Sequence, residues 1–362
     1  MTCKAGASRS CQHVPNFLSK SVESMQMIDQ ADVAREQADA FRVTFRNVRD
    51  QVRQMMVGQT EAIDGVLTAL MAGGHVLLEG VPGLGKTMLI NSLSRAVDLP
   101  FSRIQFTPDM MPADIIGTSM LTENSNGGHE LTFQEGPIVA NLVLADEINR
   151  ATPKTQSALL EVMQERQVTV GRRTIKMPEP FCVMATQNPI DQEGTYPLPE
   201  AQLDRFLFKL IVGYPTEEEY HSIIDRTTGG GEVAIAAVTN AETLCHLRDV
   251  ARQVPVPQAA QTYAIRLVMA TQPGSAYAPA SVNAGVALGA SPRGVQGLIL
   301  AAKVQCLLDN RFAVSCDDIA AIARPVLRHR VMVNYQALAR GEGVEHFIDD
   351  ILSQVKRPSD PR

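Results

Sequence analysis

The stretch Gly80-Val81-Pro82-Gly83-Leu84-Gly85-Lys86-Thr87 decides how the rest of the chain is read. It fits G-x-x-x-x-G-K-[ST] at each constrained position. The apolar run His75 to Leu78 precedes it, and behind it Leu89, Leu93, Ala96 and Val97 share one helical face. A glycine-rich turn between strand and helix lets backbone N–H groups wrap a phosphate, and the helix N-terminus adds positive potential. Residues Gly80, Val81, Pro82, Gly83, Leu84 and Gly85 then form the cradle, Lys86 reaches the β- and γ-phosphates, and the Thr87 hydroxyl ligates Mg²⁺.

Further along, Asn141-Leu142-Val143-Leu144-Ala145-Asp146-Glu147 reads as a buried strand ending in two acids. Strands often end in solvated acids, but behind a phosphate loop the pair has separate tasks. Asp146 holds Mg²⁺ through water and Glu147 polarises the water that attacks the γ-phosphate. The run Phe181 to Ala185 ends at Thr186-Gln187-Asn188-Pro189, and in a parallel sheet its C-terminal edge lies beside that of the preceding strand. That places Asn188 near the γ-phosphate. Arg205, in Leu203-Asp204-Arg205-Phe206, and Arg293, in Ser291-Pro292-Arg293-Gly294, are candidates to offset charge on a transferring phosphoryl group. Spacing alone leaves a surface ion pair equally open for either.

Working outward, five strand-like runs fall at His75 to Leu78, Arg103 to Phe106, Leu142 to Ala145, Cys182 to Ala185, and the alternation Phe206, Phe208, Leu210, Val212. Each is separated from the next by helical pattern, as a parallel α/β sheet requires. After Gly213-Tyr214-Pro215 no further strong strand is expected; Thr227-Thr228-Gly229-Gly230-Gly231 reads as a loop and the remainder as helices. One helix has Val295, Leu298, Ala302, Cys306 and Leu307 on a stripe, and another starts at Ser315 with Asp318 three residues on, a capping box. The expected division is an N-terminal arm at 1–40, an α/β nucleotide-binding domain at 41–214 and a helical domain at 215–358.

The 362 residues are 45% hydrophobic and 20% charged, enough for two or three folded units with proper cores. Thirty-three Lys and Arg against 39 Asp and Glu leave a net charge of −6, so general attraction to nucleic acid is not expected. Six scattered cysteines lack the spacing of a zinc or redox pair and fit free thiols in a reducing cytoplasm. No apolar run approaches the ~18 residues of a membrane span.

Taken together, these motifs resemble the AAA+ ATPases and, more narrowly, the MoxR family, over about Val57 to Val331. The narrower likeness rests on Val57-Gly58-Gln59, on Phe106-Thr107-Pro108-Asp109 with Pro112 to Gly117, on Asp146-Glu147-Ile148-Asn149-Arg150-Ala151, on Ala185 to Pro189, on Glu200 to Phe206, and on Gly289 to Arg293. The resemblance implies a P-loop AAA+ fold with a five-stranded parallel core and a separate C-terminal helical lid. It implies ATP with Mg²⁺, Val57, Gly58 and Gln59 beside the adenine, Asn188 as sensor 1, Arg205 as arginine finger and Arg293 as sensor 2, in its own site or a neighbour's. It further implies a hexameric ring, a partner with a von Willebrand factor A domain, and remodelling, maturation or metal-cofactor insertion of an unidentified protein client. Two insertions are implied as well, around Leu131 to Pro137 and Glu165 to Gly171, the second a hairpin whose Val168 and Val170 would grip a client in the pore. Other classes weighed are a nucleotide-gated scaffold with slow turnover, against which Glu147, Asn188 and Arg205 argue, and a DNA remodeller, for which no basic stripe with aromatics is present.

Overall fold

The computed structural model describes residues 17–123, 129–171, 173–189, 194–228 and 234–358. Its first part contains α1 (Phe17–Met55), α2 (Thr60–Ala72), β1 (Val76–Glu79), α3 (Lys86–Ala96), β2 (Phe101–Gln105), α4 (Pro112–Ile116), β3 (Gly117–Glu123), β4 (His129–Glu135), β5 (Leu142–Asp146), α5 (Pro153–Glu165), β6 (Gln167–Val170), β7 (Arg173–Lys176), β8 (Cys182–Gln187), α6 (Glu200–Leu203) and β9 (Phe208–Ile211). The second part contains α7 (Glu217–Thr228), α8 (Ala241–Gln253), α9 (Gln258–Ala270), α10 (Ala280–Gly285), β10 (Val286–Leu288), α11 (Pro292–Leu308), α12 (Cys316–Ala321), α13 (Ala323–Leu327), β11 (Met332–Val333), α14 (Tyr335–Ala339) and α15 (Val344–Gln354).

Five strands form one parallel sheet in the order β2-β5-β8-β1-β9. Leu142, Val143, Leu144 and Ala145 of β5 and Val183, Met184 and Ala185 of β8 are all buried, as strands covered by helices on both faces must be. Strand bounds shift by at most two residues from the sequence reading, with Phe206 and Val212 flanking β9 rather than pairing within it. Register sets the site: Ala145 pairs with Ala185 across β5 and β8, and Glu79 pairs with Gln187 across β1 and β8. The C-terminal ends of these strands are therefore side by side.

The second part is helical, with α11 burying Leu298, Ala302, Cys306 and Leu307. Ser315 caps α12, its Oγ accepting from the Asp318 N–H while the Asp318 carboxylate accepts from the Ser315 N–H. No strong strand was expected after Pro215, and the two that occur are short: β10 and β11 form a two-stranded antiparallel ribbon, too short for alternation to be visible in sequence. Thr227 and Thr228 end α7, and the expected loop residues Gly229–Gly231 lie outside the described residues.

Helix α1 runs without a break across residue 40. Ala38, Phe41, Phe45, Val48, Val52 and Met56, spaced three or four apart, form a buried stripe. That stripe packs on α3 of the first part and on α11 and α8 of the second, so one helix ties the two together. The Arg226 guanidinium of α7 adds hydrogen bonds to the Arg53 and Gln54 carbonyls at its C-terminal end.

Phe41 is fully buried whereas Val43, two residues on, is about half exposed. Phe41→Ala should lower unfolding stability by ~3–5 kcal/mol in urea titration, and Val43→Ala by no more than ~0.5 kcal/mol.

Candidate functional site

The phosphate loop connects β1 to α3 at the C-terminal edge of the sheet. Gly85 precedes α3 at φ 78°, a left-handed conformation that favours glycine. Gly80 also has no room for a side chain, since a Cβ would lie 2.6 Å from the Val212 carbonyl oxygen. Helix α3 has no side-chain N-cap, so its first-turn N–H groups remain available to a ligand. The Lys86 ammonium donates back to the Gly80 and Val81 carbonyls, closing the loop on itself. Partial burial lowers the Lys86 pKa, and the Asp146 and Glu147 carboxylates oppose that shift.

A cavity of about 470 Å³ opens beside this loop. Lys86, Thr87, Asp146, Glu147 and Asn188 all border it, along with Arg103. The Asp146 carboxylate accepts from the Thr186 hydroxyl at 2.6 Å through one oxygen and from the Arg103 guanidinium at 2.6 Å through the other. Thr186 Oγ also accepts the Glu147 N–H at 2.8 Å, so one hydroxyl on β8 ties both acids of β5 in place. Glu147 itself is left-handed at φ 57°, turning its side chain out of the strand alternation. Its carboxylate pairs with Arg150 at 2.7 Å and lies 3.4 Å from the Gln105 amide. The donor set suits a magnesium nucleotide: the side-chain oxygens of Thr87 and Asp146, which could hold the ion, stand beside a lysine and a helix N-terminus.

Sequence reasoning missed Arg103, Gln105 and Thr186. A neutral or basic residue at a strand end has no motif of its own, and only the sheet order brings these three to the acids. The segments that carry the family likeness start at Phe106, one residue past Gln105, and include Thr186 within Ala185 to Pro189, but neither assigns these side chains a role.

Val57, Gly58 and Gln59 flank this cavity rather than line it. Met56 approaches Gly85, since a Cβ there would lie 3.4 Å from its methyl carbon, and Gln59 donates to the Gly213 carbonyl at 2.7 Å. The Glu219 carboxylate of α7 covers Gly58.

Arg205 and Arg293 are brought together, but elsewhere. They border a second cavity of about 260 Å³ with Gly73, Gly74, His75 and Arg330. Gly73 to His75 lead into β1 and Leu207 into β9, so this cavity lies at the N-terminal edge of the sheet. The two cavities are separated by the length of β1, ~13 Å at ~3.3 Å per residue. Arg205 Nε is buried without a hydrogen-bond partner, and Arg293 is 4.0 Å from Asp204. His75 closes the cavity floor, its Nε2 donating to the Met163 carbonyl while Nδ1 accepts the Val183 N–H, and full burial lowers its pKa to about 4. It is a neutral structural pin.

The hairpin expectations divide. Leu131 to Glu135 fall in β4, which pairs antiparallel with β3, and Gln167 to Val170 form β6, paired with β7. The expected apolar grip at Val168 and Val170 is corrected: Val168 is buried and Val170 half-buried in the core cluster beneath α5. Strand alternation points the valines inward because α5 offers them an apolar face. The exposed apolar pair is instead Met120 and Leu121 of β3, which are 49% and 64% exposed.

The AAA family, described as ATPases associated with various cellular activities, matches residues 75–208, and the AAA lid domain matches residues 279–352. Chaperone MoxR1 of Mycobacterium tuberculosis is 46% identical over 308 residues, covering 85% of this chain and 81% of its own length. Protein MoxR of Methylorubrum extorquens is 30% identical, with 85% and 93% covered. The crystal structure of a candidate ATPase from Cytophaga hutchinsonii superposes with a TM-score of 0.84 at 38% identity, covering 91% of this chain and 99% of that one. A P-loop α/β core, a C-terminal helical lid and these relatives together make the chain a member of the MoxR family of AAA+ ATPases.

Proposed function

We propose that this ATPase works as a ring, hexameric by family likeness, in which each ATP is held by one subunit and completed by the arginines of its neighbour, and that the cycle remodels a protein client. The observation that supports this reading best is the separation of Arg205 and Arg293 from the phosphate loop of their own chain. An arginine at the N-terminal edge of the sheet cannot reach a γ-phosphate at the C-terminal edge, whereas copies stacked side by side bring one edge against the other. Arg293 then serves in trans.

In this reading Lys86 and the loop N–H groups bind the β- and γ-phosphates, and Thr87 and Asp146 hold Mg²⁺. The metal, when bound, offsets phosphate charge. Glu147 accepts the proton of the attacking water, Gln105 and Arg150 orient its carboxylate, and Asn188 positions the water. Val57 to Gln59, with α7 over them, bound the base. The chaperone name of the mycobacterial relative fits a remodelling output, and family likeness alone supports a von Willebrand factor A domain protein in the cytoplasm as the partner. No nucleic-acid partner is proposed, given the charge of −6. The client contact moves from Val168 and Val170 to Met120 and Leu121, which present apolar surface on the β3–β4 hairpin.

Glu147→Gln should retain ATP binding by equilibrium titration while lowering turnover by ~10²-fold or more; Lys86→Ala should lose binding itself. Wild-type turnover in Glu147→Gln would sink the base assignment. Arg205→Ala should lower turnover with ATP affinity within about twofold, and co-assembly with Lys86→Ala subunits should restore activity by pairing an intact site with an intact arginine. No recovery at any mixing ratio, with co-assembly demonstrated, would refute action in trans. The double variant Met120→Ser/Leu121→Ser should keep basal ATPase activity within about twofold yet lose capture of protein by a Glu147→Gln ring, because it removes apolar contact area and leaves the nucleotide site intact.

A further inference from the structure

Arg330 follows α13 of the lid and is buried, with a side chain only 3% exposed. A guanidinium carries five N–H donors, and each finds an acceptor here. Nε donates to Asp204 Oδ1 at 2.8 Å, one terminal nitrogen to the Leu207 and Val326 carbonyls, and the other to the Asp204 and Phe206 carbonyls. Four of those five acceptors belong to the segment 204–207, the residues on either side of Arg205. His329 adds to the same grip, its Nε2 lying 3.0 Å from the Phe206 carbonyl oxygen.

The segment needs such a grip. It lies between α6 and β9, where no sheet ladder pairs its carbonyls. The second Asp204 carboxylate oxygen accepts from the Ser291 hydroxyl at 2.7 Å, and Ser291 is the N-cap of α11, whose first turn carries Arg293. Asp204 thus has the lid clamp on one oxygen and the anchor of the Arg293 helix on the other. Burying an ion pair is by itself a poor route to stability, since apolar replacements of similar volume often do as well. A planar fork that fits four groups around one residue instead fixes a geometry.

We propose that Arg330 is a positioning residue which, through Asp204 and the 204–207 carbonyls, holds Arg205 and Arg293 where the neighbouring subunit's nucleotide requires them, so that the lid of one subunit sets the hydrolysis rate of the next. The proposal rests on the trans reading above. It touches no phosphate and acts only through the segment it clamps. Lysine, with three donors on a point charge, cannot reproduce the contact pattern.

The test is Arg330→Lys, which keeps the charge and removes the fork. Turnover should fall by roughly tenfold or more while KM for ATP stays within about twofold, as expected when a reacting group is misplaced rather than lost. Mixed assemblies separate positioning from general damage. Arg330→Lys subunits retain a sound nucleotide site, so co-assembly with Lys86→Ala subunits should restore activity; co-assembly with Arg205→Ala subunits should not, because both then deliver a faulty arginine. Recovery with Arg205→Ala, or wild-type turnover of Arg330→Lys alone, would overturn the proposal. The pair Arg205→Ala with Lys86→Ala is the control: if it recovers and Arg330→Lys with Lys86→Ala does not, the positioning role falls and the trans reading stands. If the control pair fails, both fall. Should Arg330→Lys not fold, by its unfolding midpoint, Asp204→Asn is read by the same three mixtures, since it preserves side-chain volume and removes the charge that Arg330 Nε engages.

Discussion

The parallel hydrogen bonding of β8 to β5 on one side and to β1 on the other is the constraint on which everything else depends. Backbone register in these buried strands leaves no freedom to slide, because a one-residue slip would turn core side chains into the wrong layer. With Ala145 opposite Ala185 and Glu79 opposite Gln187, the phosphate loop, Asp146 and Asn188 must emerge from one edge at one level. Thr186 then adds a hydroxyl from β8 that ties the two acids of β5 together. The chemistry of the site is a by-product of sheet geometry.

The same sheet keeps its two ends apart. Lys86, Thr87, Asp146 and Glu147 collect at the C-terminal edge, and Arg205, Arg293 and Arg330 collect at the N-terminal edge with His75 as a neutral pin beneath them. A single copy so built has the phosphate-loop cavity at one end and an arginine cluster at the other, an arrangement that fits the proposal that copies meet edge to edge. Lid and core are not independent bodies in this scheme. Helix α1 buries its stripe against both, and Arg330 crosses from the lid to grip the segment that carries Arg205.

The hairpins show where periodicity misleads. Val168 and Val170 alternate with polar residues as an exposed ribbon would, and the segment is indeed a strand. Which face met the core depended on α5, an element adjacent in sequence whose packing no period reveals. Met120 and Leu121 are consecutive apolar residues on a strand, so they break the alternation; both are exposed, on a two-stranded ribbon apart from the five-stranded sheet. Ser315 with Asp318, by contrast, was readable in full, since a capping box is made of residues three apart and needs no distant partner.

What the sequence determined by itself was therefore local chemistry: the phosphate loop, the acids at the end of a buried strand, the helical stripe of α11, the cap of α12, and through several such motifs in order the family. These depend on residues within a few positions of one another, whose geometry the backbone dictates. Tertiary structure alone decided that Arg103, Gln105 and Thr186 join the acids, that Val168 turns inward, that α1 runs unbroken into both halves, and that Arg205 and Arg293 share a cavity with Arg330 at the far edge from the phosphate loop. Apart from the turn of Val168 onto the neighbouring α5, these are contacts between segments well apart along the chain; all are fixed by strand order and the packing of helices, which leave no period or spacing for the sequence to display.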